Sequence, residues 1–201
     1  MNSIYKVIKF KSNNSKEIDD QISIEEPLEI IIKYKNKDNW IENPISITMR
    51  TPGDDKDLVR GFLFNERVIE KLEYIEKIEE TGSPVGQYKL KNKVVVTINN
   101  SENIDIDKIK RNFLTNSSCG VCGKTSLDSL EIIKKDKIKK SIPKIPKDII
   151  LKAPDVLRKN QSEFIKTGGI HASGLFKNNG DIVAIKEDVG RHNALDKLIG
   201  F

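Results

Sequence analysis

The chain has 201 residues, 37% hydrophobic and 32% charged, a balance that suits one globular domain, or one and a half, with a real core. No apolar run reaches the roughly 18 residues of a membrane span, and residues 1–6 lack a signal-peptide core, so membrane and secreted classes fall away and a cytoplasmic setting is expected. The charge of +5 comes from 35 basic against 30 acidic residues. Only six of the basic residues are Arg, and acids are spread among the lysines, which argues against a nucleic-acid footprint. Two cysteines exclude a disulfide scaffold.

The first half reads as strands: residues 5–10, a β-branched run at 28–34, another at 45–49, and a meander over 73–79, 87–90 and 94–98. One helix interrupts them. Thr51-Pro52-Gly53-Asp54 forms a turn, Asp54 or Asp55 can cap the next segment, and Leu58, Val59, Phe62, Leu63, Glu66 and Ile69 recur at helical spacing over 55–69. Gly61 in mid-helix costs about 1 kcal/mol against Ala; it is explained either by another backbone coming close or by mere tolerance.

A second helix is expected over 107–114, then a small, polar loop and a short helix over 127–133. Residues 134–147 hold seven lysines and two prolines and read as a solvated linker. A helix over 147–164, broken near Pro154, comes next. The end reads as a strand (170–176), a turn at Asn178-Asn179-Gly180-Asp181, a strand (182–186) and a helix (191–199).

The sharpest chemical feature is Cys119-Gly120-Val121-Cys122. A helix starting near Lys124 would favour thiolate through its dipole and the lysine charge, and thiolate is the form that attacks sulfur. Four readings compete. A zinc site needs two more ligands, and His171 and His192 are not spaced to supply them. A thioredoxin-like dithiol would sit after a strand. Two incidental thiols would sit oddly in so polar a loop. A persulfide-carrying thiol fits the chemistry, but spacing alone does not select it.

Two further clusters stand out. Gly168-Gly169 precede a strand and suit a phosphate or ligand edge, with His171 just beyond, a type of residue that is more often a satisfied core histidine. Gly190-Arg191-His192 put a guanidinium and an imidazole at a helix N-terminus, a competent anion site. Asp188 is read as a ligand neighbour or a simple cap, and Asp196 and Lys197 as solvated helix surface.

Together these residues resemble a known family. Thr51-Pro-Gly-Asp-Asp55, Gly61-Phe-Leu-Phe64, Ser118-Cys-Gly-Val-Cys-Gly123, Thr167-Gly-Gly-Ile-His-Ala172 and Glu187-Asp-Val-Gly-Arg-His-Asn-Ala-Leu-Asp-Lys197 occur in this order. The set is similar to the formate dehydrogenase accessory sulfurtransferase family, FdhD. That resemblance implies a sulfur relay from a cysteine desulfurase to the molybdenum or tungsten centre of a bis(molybdopterin guanine dinucleotide) cofactor needed by formate dehydrogenase. Cys119 matches the family's persulfide cysteine and Cys122 its partner. Gly168, Gly169, His171, Arg191 and His192 are then the candidates for holding the cofactor's pyrophosphate or guanine. No resident metal is expected, and a homodimer is.

The fold so implied is mixed α/β (α+β). A β-rich region with one helix spans 1–114. The CxxC loop, a short helix and the linker span 115–147. Residues 148–201 form the first part of a cytidine-deaminase-like α/β domain. Its His192-Asn193-Ala194 lacks the general-acid Glu that deamination requires, so deaminase activity is rejected. Family members continue past the position of Phe201, so the expectation is a fragment, an inactive remnant or a chain completed by another. The rival from a different class is a zinc-binding or scaffold protein bridging desulfurase and client.

Overall fold

The computed structural model describes residues 1–84, 86, 88–99, 104 and 144–201. The helices expected over 107–114 and 127–133, both cysteines and most of the linker lie outside the described residues. Ten-residue strands β1 (Asn2–Lys11) and β2 (Asn14–Ser23) form an antiparallel ribbon. Strands β3 (Glu26–Asn36), β4 (Asn39–Arg50), β5 (Ile75–Thr81) and β6 (Lys93–Ile98) form a sheet ordered β4-β3-β6-β5.

Helix α1 (Asp55–Asn65) lies between β4 and β5 in sequence. After the gap come α2 (Lys147–Lys159), α3 (Ser162–Thr167), β7 (His171–Phe176), β8 (Ile182–Asp188) and α4 (Arg191–Ile199). The mixed α/β class is as expected. No helix among the described residues is long and apolar enough to cross a membrane.

The sheet arises from burial periodicity. On β3 the alternate residues Leu28, Ile30, Ile32 and Tyr34 are buried, the period of two that a half-buried strand requires. On β6 every residue from Val94 to Ile98 is buried, because this strand is central, parallel to β3 and antiparallel to β5. The crossover through α1 leads from β4 to β5, and β5 and β6 then follow each other as antiparallel neighbours, as the expected meander had them. Its middle strand is not seen, because Tyr88 and Lys89 form a turn. Pro44, which cannot donate to a ladder, sits on the edge strand β4 beside a register shift at Ile30 and Ile31.

Helix α1 lays Leu58, Val59 and Leu63 on the sheet, and Val68 and Ile69 complete the same core. The helix is shorter than the apolar period suggests. It stops at Asn65, and Arg67 turns left-handed (φ 56°), after which the Val68 N–H donates to the Leu63 carbonyl at 2.8 Å. Ile69 is therefore buried without being helical. Pro154 lies inside α2, and the helical run breaks later, at Asn160 and Gln161.

Candidate functional site

Motifs far apart in sequence converge at one end of the β7–β8 hairpin. The register pairs His171 with Asp188, so the start of β7 lies beside the end of β8. Gly168 closes α3 in the left-handed region (φ 64°), and Gly169 and buried Ile170 lead into His171. On the other strand Asp188 precedes Val189, the N-cap Gly190 and the first residues of α4. Gly168, Gly169, His171, Arg191 and His192 are all exposed around this end. The first N–H groups of α4 have no partner within the helix. The Gly168 and Gly169 N–H groups already donate to the Phe164 carbonyl and to Thr167 Oγ1, so the donors this rim offers an anion are the Arg191 guanidinium, the two imidazoles and the α4 N-terminus.

Beneath the rim is a buried polar cluster. The Asp188 carboxylate accepts from the Thr51 N–H (3.0 Å), the Gly190 N–H (2.9 Å) and the Asn193 amide (3.2 Å). Lys197 Nζ lies 2.8 Å from Asp188 Oδ2 and donates to the Thr51 carbonyl at 2.8 Å. Thr51 Oγ1 in turn accepts from the Val189 N–H at 3.1 Å. The 51–54 turn is thereby clamped to the turn that opens α4. Asn193 also donates to the Met49 carbonyl at 2.7 Å. A cluster this deep is tolerated only because each group finds partners.

The clamp turn has its own support. Gly53 (φ 113°) makes the bend, which an L side chain adopts only with strain. Neither Asp54 nor Asp55 caps α1 with its side chain. Asp55 instead receives the Arg50 guanidinium through two bonds, at 3.0 and 2.8 Å, while Arg50 itself is 1% exposed. Asp54 and Asp57 hold Lys186 Nζ at 3.1 and 2.9 Å. Burial opposes the Lys186 charge, but these two carboxylates outweigh it and raise its pKa. Glu187 reaches the other way and accepts the Glu163 and Phe164 N–H groups at 3.0 and 2.9 Å, capping α3.

Asp196 and Lys197 correct the expectation of a solvated surface: they are 9% and 2% exposed. Asp196 faces α1, where Asn65 donates to it. Burial pushes its pKa up to about 6, with the Glu66 and Asp188 charges adding to the rise and the Asn65 bond opposing it. Gly61 is explained by close approach. A Cβ there would overlap the Asp196 carbonyl oxygen and stand 2.8 Å from the Asp196 Cα. One at Gly200 would overlap the Asp57 carbonyl oxygen and stand 2.7 Å from the Gly61 nitrogen.

Sequence reasoning missed Arg50, Thr51, Asn193 and Lys197 as organising residues. Their signal was weak because they are polar residues in buried positions, which hydrophobic periodicity reads backwards. The cysteines Cys119 and Cys122 lie outside the described residues.

Comparison with known proteins places this arrangement. Residues 23–201 match the model of the FdhD/NarQ family. The chain is 45% identical over 184 residues to a sulfur carrier protein FdhD of Picrophilus torridus, covering 91% of this chain and 64% of that protein. It is 37% identical over 195 residues to the protein of that name from Sulfolobus acidocaldarius, with 97% and 67% covered. With the Streptomyces coelicolor protein of the same name it shares 39% over 197 residues, again with 97% and 67% covered. The chain thus spans about two thirds of the length of these relatives. A crystal structure from Desulfotalea psychrophila, ascribed to formate dehydrogenase accessory function, superposes with a TM-score of 0.60 at 23% identity, covering 99% of this chain and 68% of that one; that likeness concerns the fold. By the family model and the relatives together, this chain belongs to the FdhD/NarQ family.

Proposed function

We propose that this chain is a sulfur carrier that serves formate dehydrogenase maturation. The observation that carries the reading is its 36–45% identity to several proteins named sulfur carrier protein FdhD, in a chain whose only thiols are Cys119 and Cys122. The Cys119 thiolate attacks the outer sulfur of a cysteine desulfurase persulfide. The desulfurase S–S bond breaks, its thiolate leaves, and Cys119 becomes the persulfide. The Cys122 thiolate then attacks the inner sulfur, forming a Cys119–Cys122 disulfide and releasing hydrosulfide. The dithiol supplies the two electrons, and the sulfur leaves in the reduced form that a metal takes as a sulfido ligand.

The acceptor in this reading is the molybdenum or tungsten centre of bis(molybdopterin guanine dinucleotide), bound as substrate. Its pyrophosphate or guanine is assigned to the rim of Gly168, Gly169, His171, Arg191 and His192, where donors surround a helix N-terminus. The setting is the cytoplasm, where desulfurase and apo-dehydrogenase are the partners. Incubation with a desulfurase and cysteine, and then intact-mass and peptide mass spectrometry, tests the first step. One added sulfur atom on Cys119 is expected. A Cys119→Ala chain that still gains it refutes the assignment. Guanine-nucleotide binding that is unchanged in Arg191→Ala refutes the rim assignment alone.

A further inference from the structure

The even spread of acids among the lysines fails in one segment. Residues 134–159 hold ten of the 35 basic residues and three of the 30 acidic ones, a net +7, which leaves the other 175 residues at −2. The described part of this segment, 144–159, is mostly α2. Lys144, Lys147, Lys152 and Lys159 are exposed there, and none of them has an acidic partner among the described residues.

Helix α2 spends its apolar face on the β7–β8 hairpin. Ile149, Ala153, Val156 and Leu157 are half-buried at helical spacing. A Cβ on Gly180 would stand 3.2 Å from Ile149 Cγ2, and one on Gly174 2.8 Å from Leu157 Cδ1. The first half of α2 thus lies at the turn of the hairpin, the end opposite the rim. On the other side of the helix Lys147, Leu151 and Arg158 fall on one line. Leu151 is 75% exposed, with Ile150 at 58% beside it. The Arg158 guanidinium is held 5.1 Å from the centre of the Phe164 ring.

The chemistry of this stripe selects its occupant. Two exposed aliphatic residues give little to insert into a bilayer. Asp148 and Asp155 share the exposed side, and they would repel the phosphates of a lipid surface or a nucleic acid. A groove on a protein fits better, with an apolar floor for Ile150 and Leu151 and carboxylates around it for Lys147 and Arg158.

We propose, building on the sulfur-carrier reading, that the α2 stripe docks the protein that donates the sulfur, through an acidic groove on that protein. A donor seated at the turn end of the hairpin leaves the rim of Arg191 and His192 free for the acceptor. The basic segment also begins twelve residues after Cys122, so a protein held there keeps its persulfide within the chain's reach of the thiols.

Mass spectrometry of Cys119 during loading from two donors tests it. One donor is a purified cysteine desulfurase with cysteine. The other is glutathione persulfide, whose outer sulfur passes to the Cys119 thiolate as glutathione thiolate leaves, with no docking needed. Lys147→Glu/Arg158→Glu and, separately, Leu151→Glu are compared with the native chain. From the desulfurase each variant should load at least about tenfold more slowly, and the native rate should fall as salt rises. All chains should load equally from glutathione persulfide. Variants that keep the native rate from the desulfurase overturn the proposal, whether or not they lose binding to phosphatidylglycerol vesicles. Variants equally slow with both donors overturn it too, because the defect then lies outside docking. A native chain that takes sulfur from neither donor refutes the sulfur-carrier reading itself, and the docking proposal with it.

Discussion

Lys197 Nζ lies 2.8 Å from Asp188 Oδ2, and the two side chains are 2% and 0% exposed. The pair joins the end of β8, the body of α4 and, through Thr51, the turn before α1. Removing one member of a buried pair leaves the other charge unmatched, at about 3–5 kcal/mol. Lys197→Met should therefore lose most of that amount in urea unfolding. Lys197→Met/Asp188→Asn should lose less than the single change, because no lone charge remains. Equal losses in the single and double variants would show that the pair acts only through packing.

Asp196 makes stability fall as pH rises. Its folded pKa of about 6 lies above its ordinary 3.8, so between those values the folded state binds more protons than the unfolded one. Stability is then highest below about pH 4, as far as this group is concerned, and falls up to about pH 6, by at most about 3 kcal/mol. Asp196→Asn should flatten this part of the profile and be the more stable form at about pH 7.5. Urea midpoints of both proteins at about pH 4.5 and about pH 7.5 check it.

Gly61→Ala would raise helix propensity by about 1 kcal/mol in an isolated helix. Here the added carbon overlaps the Asp196 carbonyl oxygen, so α1 and α4 must separate. The net change should be a loss of about 1–3 kcal/mol, seen as a lower thermal midpoint. Gly200→Ala, which meets the Asp57 carbonyl, should behave the same way. A rise in either midpoint would contradict the close packing.

Arg50→Lys keeps the charge but loses the planar fork that grips both Asp55 oxygens. It should lower stability by about 1–3 kcal/mol. Backbone amide exchange in the 51–54 turn should quicken, because that fork anchors the turn. An unchanged exchange rate there would mean that the Asp188 side of the clamp suffices.

Cys122→Ala separates loading from release in the proposed relay. The variant should accept sulfur on Cys119 as the native chain does, yet release no hydrosulfide without an added thiol. Sulfide assays after loading distinguish the two, and normal release would assign the resolving electrons to another donor.

Much of the fold was legible in residue order. The alternation on β3, the apolar stripe of α1, the Asn-Asn-Gly-Asp turn and the bounds of α4 come from local periodicity and turn chemistry, which depend on neighbours in sequence. Residues 14–23 hid the strand β2, because a solvated ribbon carries little apolar alternation to read. The order β4-β3-β6-β5 was equally hidden, since parallel pairing joins strands whose partnership no local signal encodes. The family resemblance was legible too and needed no coordinates. The inside of the site was not. Leu195 and Ile199 are 44% and 37% exposed while Asp196 and Lys197 are buried, an inversion of the usual helix pattern. Only the tertiary structure decides it, because a buried ion pair is possible only where a remote turn, here the one at Thr51, brings its carbonyl and N–H to the same point.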